Sequence, residues 1–195
     1  MTILVVNNKD KVIEELGKLI EETAENSIKT NGIFLIGFSG GSLVNFLTTA
    51  LPKIKTDFSK WRIFFCDERV VPTSDPESTF GVYKKAFIDS GAVDLKENQF
   101  IQIKQDVSGH KLLTVTDKWI APITDSPKPP PSRVTMTFPV LNNARVCVFA
   151  TSGKEKAHMI KKVLVDKEDL PATKVNPHSG NLYWIVDREA ADSHL

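Results

Sequence analysis

Two hydrophobic patterns alternate along the chain. Apolar residues at helical spacing between charged residues predict an amphipathic helix over about 10–29, directly after a short first strand at 3–6. Short uninterrupted apolar runs, rich in aromatic and β-branched residues, predict strands that are buried on both faces. These runs lie at 33–36, 62–66, 145–150 and 181–187, and helical patterns follow at 43–51, at 157–164 and from Arg188.

This alternation predicts an α/β fold with a doubly wound, mostly parallel sheet flanked by helices, a Rossmann-like three-layer arrangement. The proline-rich segment 125–132 interrupts the alternation and is expected to run extended along the surface. The runs on either side of it, 119–123 and 133–138, both read as strands. At 195 residues, we expect a single domain over 1–195.

The overall charge excludes two classes of partner. Lys and Arg total 25 against 24 Asp and Glu, so no overall field attracts nucleic acid or an anionic membrane, and an anion must be bound locally. Cys66 and Cys147 lie in apolar runs and are predicted to be reduced core residues. The first apolar stretch is too short for a signal peptide and no run reaches membrane-spanning length, so we expect a cytoplasmic protein. A monomer or weak homo-oligomer is expected.

Three loops that follow predicted strands could carry chemistry, because ligands bind at the carboxyl ends of strands in doubly wound sheets. The first is Ser39-Gly40-Gly41-Ser42, which leads into the helix at 43–51. The backbone N–H groups and the dipole at a helix N-terminus bind phosphate well. Glycines also occur in such turns merely because helix and sheet pack closely, so both interpretations stay open.

The second loop is Asp67-Glu68-Arg69 and the third contains Ser152, Gly153 and Lys156. A planar arginine can grip a phosphate or carboxylate with two hydrogen bonds, while the acids hold its orientation or contact sugar hydroxyls. The alternative is an internal arginine–carboxylate pair that closes the loop. Lys156 falls in the first turn of a predicted helix, where it either reaches an anion or is a solvated helix lysine.

Histidine is the residue most often used as a general base near neutral pH, and the chain contains four. His158 lies in a predicted helix, His178 in a loop and His194 near the last residue, so none of them follows a strand. His110 has a glycine neighbour, but no apolar strand leads into it, and an exposed loop histidine is the favoured interpretation. We find no Cys/His metal spacing, no Ser-His-Asp elbow and no P-loop lysine.

The order and spacing of these stretches resemble the 6-phosphogluconolactonase branch of the glucosamine-6-phosphate isomerase/6-phosphogluconolactonase superfamily. The Ser39-Gly40-Gly41-Ser42 loop and the proline-rich stretch favour the lactonase branch over the deaminase branch. The resemblance implies hydrolysis of the ester bond of 6-phosphoglucono-δ-lactone in the pentose phosphate pathway by a histidine-activated water, with no metal or organic cofactor. The stretches that carry it are 39–42, 66–72, 77–83, 121–131, 139–142, 153–157 and 170–187.

The resemblance also implies a phosphosugar site. The residues expected to bind the phosphate are Gly40, Gly41, Ser42, Arg69 and Lys156, with Ser39, Asp67 and Glu68 in support.

One element of the family pattern is absent from this sequence. The family has a strand that ends in a Gly-Pro-Asp-Gly-His-Thr motif, whose histidine is the general base, and here the chain runs from Val107-Ser108 straight to Gly109-His110. By its neighbours, His110 resembles a later, non-catalytic histidine, so the catalytic residue is unknown and His110 is a weak candidate. A missing strand-helix unit predicts low stability and lactonase activity near background. The alternative function is a catalytically impaired phosphosugar-binding or regulatory protein.

Overall fold

The structure is a computed structural model that describes residues 1–102, 119–192 and 195. The chain divides into two compact units, of which the first is Met1–Lys18 with Phe138–Leu195 and the second is Leu19–Thr137. The single domain expected from the length stays a prediction.

The regular elements are numbered in chain order. The strands are β1 (Thr2–Val6), β2 (Phe34–Phe38), β3 (Trp61–Phe65), β4 (Asp67–Arg69), β5 (Ile120–Ile123), β6 (Arg133–Met136), β7 (Cys147–Thr151) and β8 (Leu182–Asp187). The helices are α1 (Lys9–Asn31), α2 (Ser42–Ala50), α3 (Thr79–Tyr83), α4 (Phe138–Asn142), α5 (Ala157–Ile160) and α6 (Arg188–Ala191). The π-helical turns Lys84–Asp89 and Lys161–Val165 extend α3 and α5.

The first unit is built on a parallel sheet of order β1-β8-β7. β8 lies between two neighbours, which explains its almost uninterrupted apolar sequence. Its Trp184 stacks on Phe149 of β7 with ring centroids 4.1 Å apart. Ile160 and Leu164 pack in the same core, so the apolar side of α5 and its extension covers this sheet.

The second unit contains a parallel pair, in which β2 and β3 are in register from Phe34 opposite Trp61 to Phe38 opposite Phe65. An aromatic core lies beside this pair. The ring of Tyr83 stacks on Phe38, with centroids 5.0 Å apart, and on Phe87 of the following π-helical turn. These contacts attach α3 to the carboxyl end of β2, where the first candidate loop begins.

The second unit also contains an antiparallel sheet of order β4-β6-β5. The proline-rich connection joins β5 to β6 and is largely exposed. Arg133, the first residue of β6, donates from its side chain to the carbonyl oxygens of Pro130 and Lys128. The predicted surface connection between two strands is therefore confirmed, although these strands pair antiparallel.

The α/β fold class, with parallel strands and flanking helices, is confirmed. Two details of the prediction are wrong. Asp67–Arg69 was expected to be a loop and forms β4, because its backbone pairs with β6. Cys66 and Cys147 form no disulfide bond, as expected, and both residues are described, but both are only half-buried. Among the described residues, no helix has the length and apolar character needed to cross a membrane. The expected gap in the fold falls at 103–118, outside the described residues.

Candidate phosphate-binding site

The loop between β2 and α2 leaves the start of the helix open. Gly41 is the N-cap residue, and its φ of 74° and ψ of −141° are strained for residues with a side chain. No side chain among residues 1–102 and 119–192 caps the helix, and both Gly41 and Ser42 are exposed. The first N–H groups of α2, together with the positive end of its dipole, are therefore available to an anion.

Tyr83 holds the beginning of this loop. Its hydroxyl donates to the carbonyl oxygen of Ser39 at 2.8 Å. The side chain is completely buried. Burial, with smaller contributions from Cys66 and Asp67, raises the pKa of the Tyr83 phenol well above its usual range. The phenol is therefore a neutral donor at physiological pH, and the loop has a fixed starting point.

Arg69 lies against the same loop. A Cβ atom built on Gly40 would be 3.8 Å from Cζ of Arg69, so the guanidinium is in contact range of the Gly40 backbone. Nη1 of Arg69 donates to the carbonyl oxygen of Glu77 at 2.9 Å and lies 3.7 Å from the Glu77 carboxylate. The structure thus brings together two candidate residues that are far apart in the sequence, and Glu77 is a partner that the sequence did not indicate.

Glu68 acts on the backbone and does not orient the Arg69 side chain. Its carboxylate is 6% exposed and accepts three hydrogen bonds, each 2.7 Å long, from the N–H groups of Arg69, Thr79 and Phe80. Three charge-assisted hydrogen bonds offset the cost of burying a carboxylate. Glu68 therefore joins the end of β4 to the start of α3.

Asp67 also has a different partner from the one expected. Its carboxylate lies 3.5 Å from Nη1 of Arg133, the arginine that binds the proline-rich connection. Of the two roles expected for these acids, holding the orientation of Arg69 is corrected, because Asp67 pairs with Arg133 and Glu68 binds the backbone. Contact with sugar hydroxyls stays a prediction. Arg133 lies 66 residues from Asp67, so no local sequence pattern indicated the pair.

Thr79 is a site residue that the sequence analysis missed. It is 2% exposed, and its Oγ1 has no hydrogen-bond partner within the described parts of the chain. Nε of Arg69 is likewise buried and unpartnered there. Oγ1 of Thr79 would be 3.5 Å from a Cβ atom on Gly40. Two unsatisfied polar groups therefore lie next to the same glycine.

Lys156 belongs to the first unit and follows β7. It ends the 3₁₀ turn Lys154–Lys156, and α5 begins at the next residue, so the first turn of the predicted helix has 3₁₀ form. The N–H of Gly153 donates to both carboxylate oxygens of Asp187, at 3.0 and 3.2 Å. Lys156 itself is half-buried and makes no ion pair within 1–102 or 119–192.

Two of the four histidines are described, and both His158 and His178 are exposed residues of the first unit. His110 and His194 lie outside the described residues. In the part of the chain that is described, no group of three or more Cys, His, Asp or Glu side chains could hold a metal ion.

Comparison with known proteins agrees with the sequence pattern. A family profile described as glucosamine-6-phosphate isomerases/6-phosphogluconolactonase matches residues 7–111 and 107–184. The two matched stretches meet where the histidine motif is missing. The 6-phosphogluconolactonase of Rattus norvegicus is 34% identical over 236 residues, covering 97% of this chain and 92% of the rat protein. That alignment is longer than the chain, so the rat protein has residues without a counterpart here.

A human relative and a solved structure extend the comparison. The 6-phosphogluconolactonase of Homo sapiens is 35% identical over 207 residues, covering 81% of this chain and 80% of the human protein. The crystal structure of 6-phosphogluconolactonase from Thermotoga maritima matches with a TM-score of 0.80 at 18% identity, covering 95% of this chain and 100% of that one. The structural match concerns the fold, and the sequence matches show descent. This chain belongs to the glucosamine-6-phosphate isomerase/6-phosphogluconolactonase family.

Proposed function

We propose that this chain hydrolyses 6-phosphoglucono-δ-lactone to 6-phosphogluconate in the pentose phosphate pathway. The names of its relatives support the reaction. The observation that carries the assignment to this chain is the contact range between Gly40, at the uncapped start of α2, and the guanidinium of Arg69. A helix N-terminus and an arginine side by side suit a doubly charged phosphate monoester.

The phosphate serves as the handle of the substrate in this proposal. Backbone N–H groups at Gly40, Gly41 and Ser42 donate to its oxygens, and Arg69 adds charge-assisted hydrogen bonds. Lys156 contributes a positive charge from the loop after β7. Three further residues have supporting roles, namely Ser39 through its carbonyl, Glu68 through the backbone and Asp67 through Arg133.

The chemical step requires a base. A water molecule attacks the lactone carbonyl carbon and loses a proton to the base, the bond to the ring oxygen breaks, and that oxygen leaves as a hydroxyl after taking up a proton. General-base catalysis contributes about 10²–10⁴-fold. Because the histidine motif of the family is missing, His110 is the residue to test in this role.

The test measures lactone hydrolysis by the purified chain after subtraction of the spontaneous reaction. Two matched variants accompany it, His110→Ala and a chain with a family-type strand and Asp-Gly-His-Thr turn inserted between Val107 and Gly109. A rate above the spontaneous one supports the proposal, and its loss in His110→Ala assigns the base. A rate equal to the spontaneous one, with 6-phosphogluconate still bound, contradicts it and leaves a phosphosugar-binding protein. Restored activity after the insertion identifies the missing motif as the cause.

We also propose that the chain acts in the cytoplasm, without a metal or organic cofactor, as a single domain and as a monomer or weak homo-oligomer. Two described cysteines that form no disulfide bond fit a reducing compartment. Sedimentation at micromolar and millimolar concentration distinguishes a monomer from a weakly associating chain.

A further inference from the structure

We infer that Thr79 is an additional phosphate-binding residue, whose hydroxyl donates to an oxygen of the phosphate next to Arg69. The inference rests on the proposed function, because it concerns the same site.

The first argument is the unsatisfied state of the hydroxyl. Buried polar groups in native proteins nearly always have a hydrogen-bond partner, and a buried group without one destabilises the folded state. Thr79 is 2% exposed and its Oγ1 has no partner among the described residues. A threonine at this position therefore lowers stability unless another state of the protein supplies an acceptor.

The second argument is the place where the hydroxyl lies. Oγ1 of Thr79 and Cζ of Arg69 are 3.5 and 3.8 Å from the position that a Cβ atom on Gly40 would occupy. Nε of Arg69 is the other buried group without a partner at this place. Two donors that both need an acceptor thus meet beside the uncapped start of α2, and an oxyanion at the start of α2 would supply acceptors to both.

The third argument concerns access. Both donors are buried next to Gly40, and in this proposal the phosphate reaches them when the Gly40–Gly41 peptide shifts. Two consecutive glycines have the conformational freedom for such a shift. The backbone that carries the two donors is fixed, because the Glu68 carboxylate accepts hydrogen bonds from the N–H groups of both Arg69 and Thr79.

The fourth argument is geometric selectivity. A phosphate monoester presents three free oxygens in different directions, whereas a carboxylate presents two in one plane. The helix N-terminus, Arg69 and the Thr79 hydroxyl approach the ligand from three elements, α2, β4 and α3. A third donor therefore favours a phosphate over a carboxylate at this position.

The experiment compares Thr79→Val, which has nearly the same shape without a hydroxyl, with Thr79→Ser, which keeps the hydroxyl. Calorimetry gives the Kd for 6-phosphogluconate and for inorganic phosphate, and thermal unfolding gives the Tm without ligand. Thr79→Val is expected to bind both ligands about ten- to a hundredfold more weakly, the loss typical of a hydrogen bond to a charged group. Its Tm without ligand stays the same or rises, because no hydrogen bond is lost. Thr79→Ser stays within about threefold of the parent Kd.

Thr173→Val is the matched control. Thr173 also has a buried Oγ1 without a partner in the described chain, but it lies in the turn Pro171–Lys174 of the first unit. We expect its Kd for 6-phosphogluconate to equal that of the parent.

Three outcomes overturn the inference. Unchanged affinity in Thr79→Val, while the parent binds, removes Thr79 from the site and leaves the proposed function intact. A parallel loss of affinity and of ligand-free Tm makes Thr79 a structural residue. Absence of binding by the parent at millimolar 6-phosphogluconate refutes the phosphate site and this inference together.

Discussion

The loops after β2 and β7 look alike in the sequence, yet the structure gives them different partners. Each follows a parallel strand and contains a glycine with positive φ, Gly41 in one and Gly153 in the other. At Gly153 the backbone N–H already binds the buried carboxylate of Asp187. At Gly41 no side chain of the described part of the chain caps α2. A glycine-rich loop after a strand is therefore open to an external anion only where the protein has not supplied its own.

The cations of the two loops, Arg69 and Lys156, also differ in how well they can bind an external anion. Arg69 is 19% exposed and lies 3.7 Å from the carboxylate of Glu77, whose side chain is 54% exposed. A pair of this length with a solvated partner contributes little to stability, so Arg69 can exchange it for a phosphate. Lys156 is a flexible point charge beside a loop whose Gly153 amide is occupied. The loop after β2 should therefore dominate phosphate binding.

The largest expected effect comes from Arg69→Ala. Because the guanidinium can form paired charge-assisted hydrogen bonds, its removal should weaken 6-phosphogluconate binding by about 2–3 kcal/mol, measured by calorimetry. Lys156→Ala should cost less. Equal affinity of Arg69→Ala and the parent chain would mean that Arg69 does not bind the phosphate and serves only as a partner of Glu77.

Asp187→Asn should weaken the hydrogen bonding that holds the loop after β7, and it changes no contact of the loop after β2. The carboxylate is 3% exposed and accepts from the N–H groups of Gly153 and Ala190. Replacing it with an amide should lower the free energy of unfolding by about 2 kcal/mol, measured by urea denaturation. The control is Asp166→Asn, which removes a more exposed pair with Lys161 and should cost about 0.5 kcal/mol or less. Similar losses of unfolding free energy in both variants would contradict a stabilising role for the buried Asp187 carboxylate.

Gly40→Ala should lower the affinity less than Arg69→Ala, and it should change the affinity without changing the stability of the fold. The added methyl group would lie 3.5 Å from Oγ1 of Thr79 and 3.8 Å from Cζ of Arg69, which is ordinary contact, and Gly40 does not have a positive φ. Folding should be unaffected, with a change in unfolding free energy within about 0.5 kcal/mol. Ligand binding should weaken about tenfold because the methyl covers the guanidinium.

Gly153→Ala is the counterpart in the other loop. There φ is 96°, a conformation that is strained for any residue with a Cβ, so the free energy of unfolding should fall. If Gly40→Ala destabilised the fold and Gly153→Ala did not, the contrast between the loops would be wrong.

Local sequence patterns predicted the elements whose form depends on their own side chains. The spacing of apolar residues located α1, and the apolar runs located β2, β3, β7 and β8, because burial on one or two faces leaves a period in the sequence. β4 was missed because Asp67-Glu68-Arg69 has no apolar period, and its strand conformation comes from pairing with Thr135 and Val134 of β6.

The site could be predicted as a set of residue types but not as a set of partners. Sequence identified Gly40 and Arg69, since glycine loops and arginines after strands have a recognisable chemistry. It could not indicate that Arg69 pairs with Glu77, that Asp67 pairs with Arg133, or that the Thr79 hydroxyl has no partner in the part of the chain that is described. These facts depend on three-dimensional contacts between residues 8 to 66 positions apart.

The hydrogen bonds of Glu68 have a consequence for protein engineering. One carboxylate holds the end of β4 and the first two residues of α3, and a Cβ on Gly81 would collide with the carbonyl oxygen of Thr73. The segment from Asp67 to Gly81 is therefore held together by its own contacts. A graft of Arg69 alone into another scaffold would transfer the charge without the contacts that position it, whereas a graft of the whole segment would include the hydrogen bonds of Glu68.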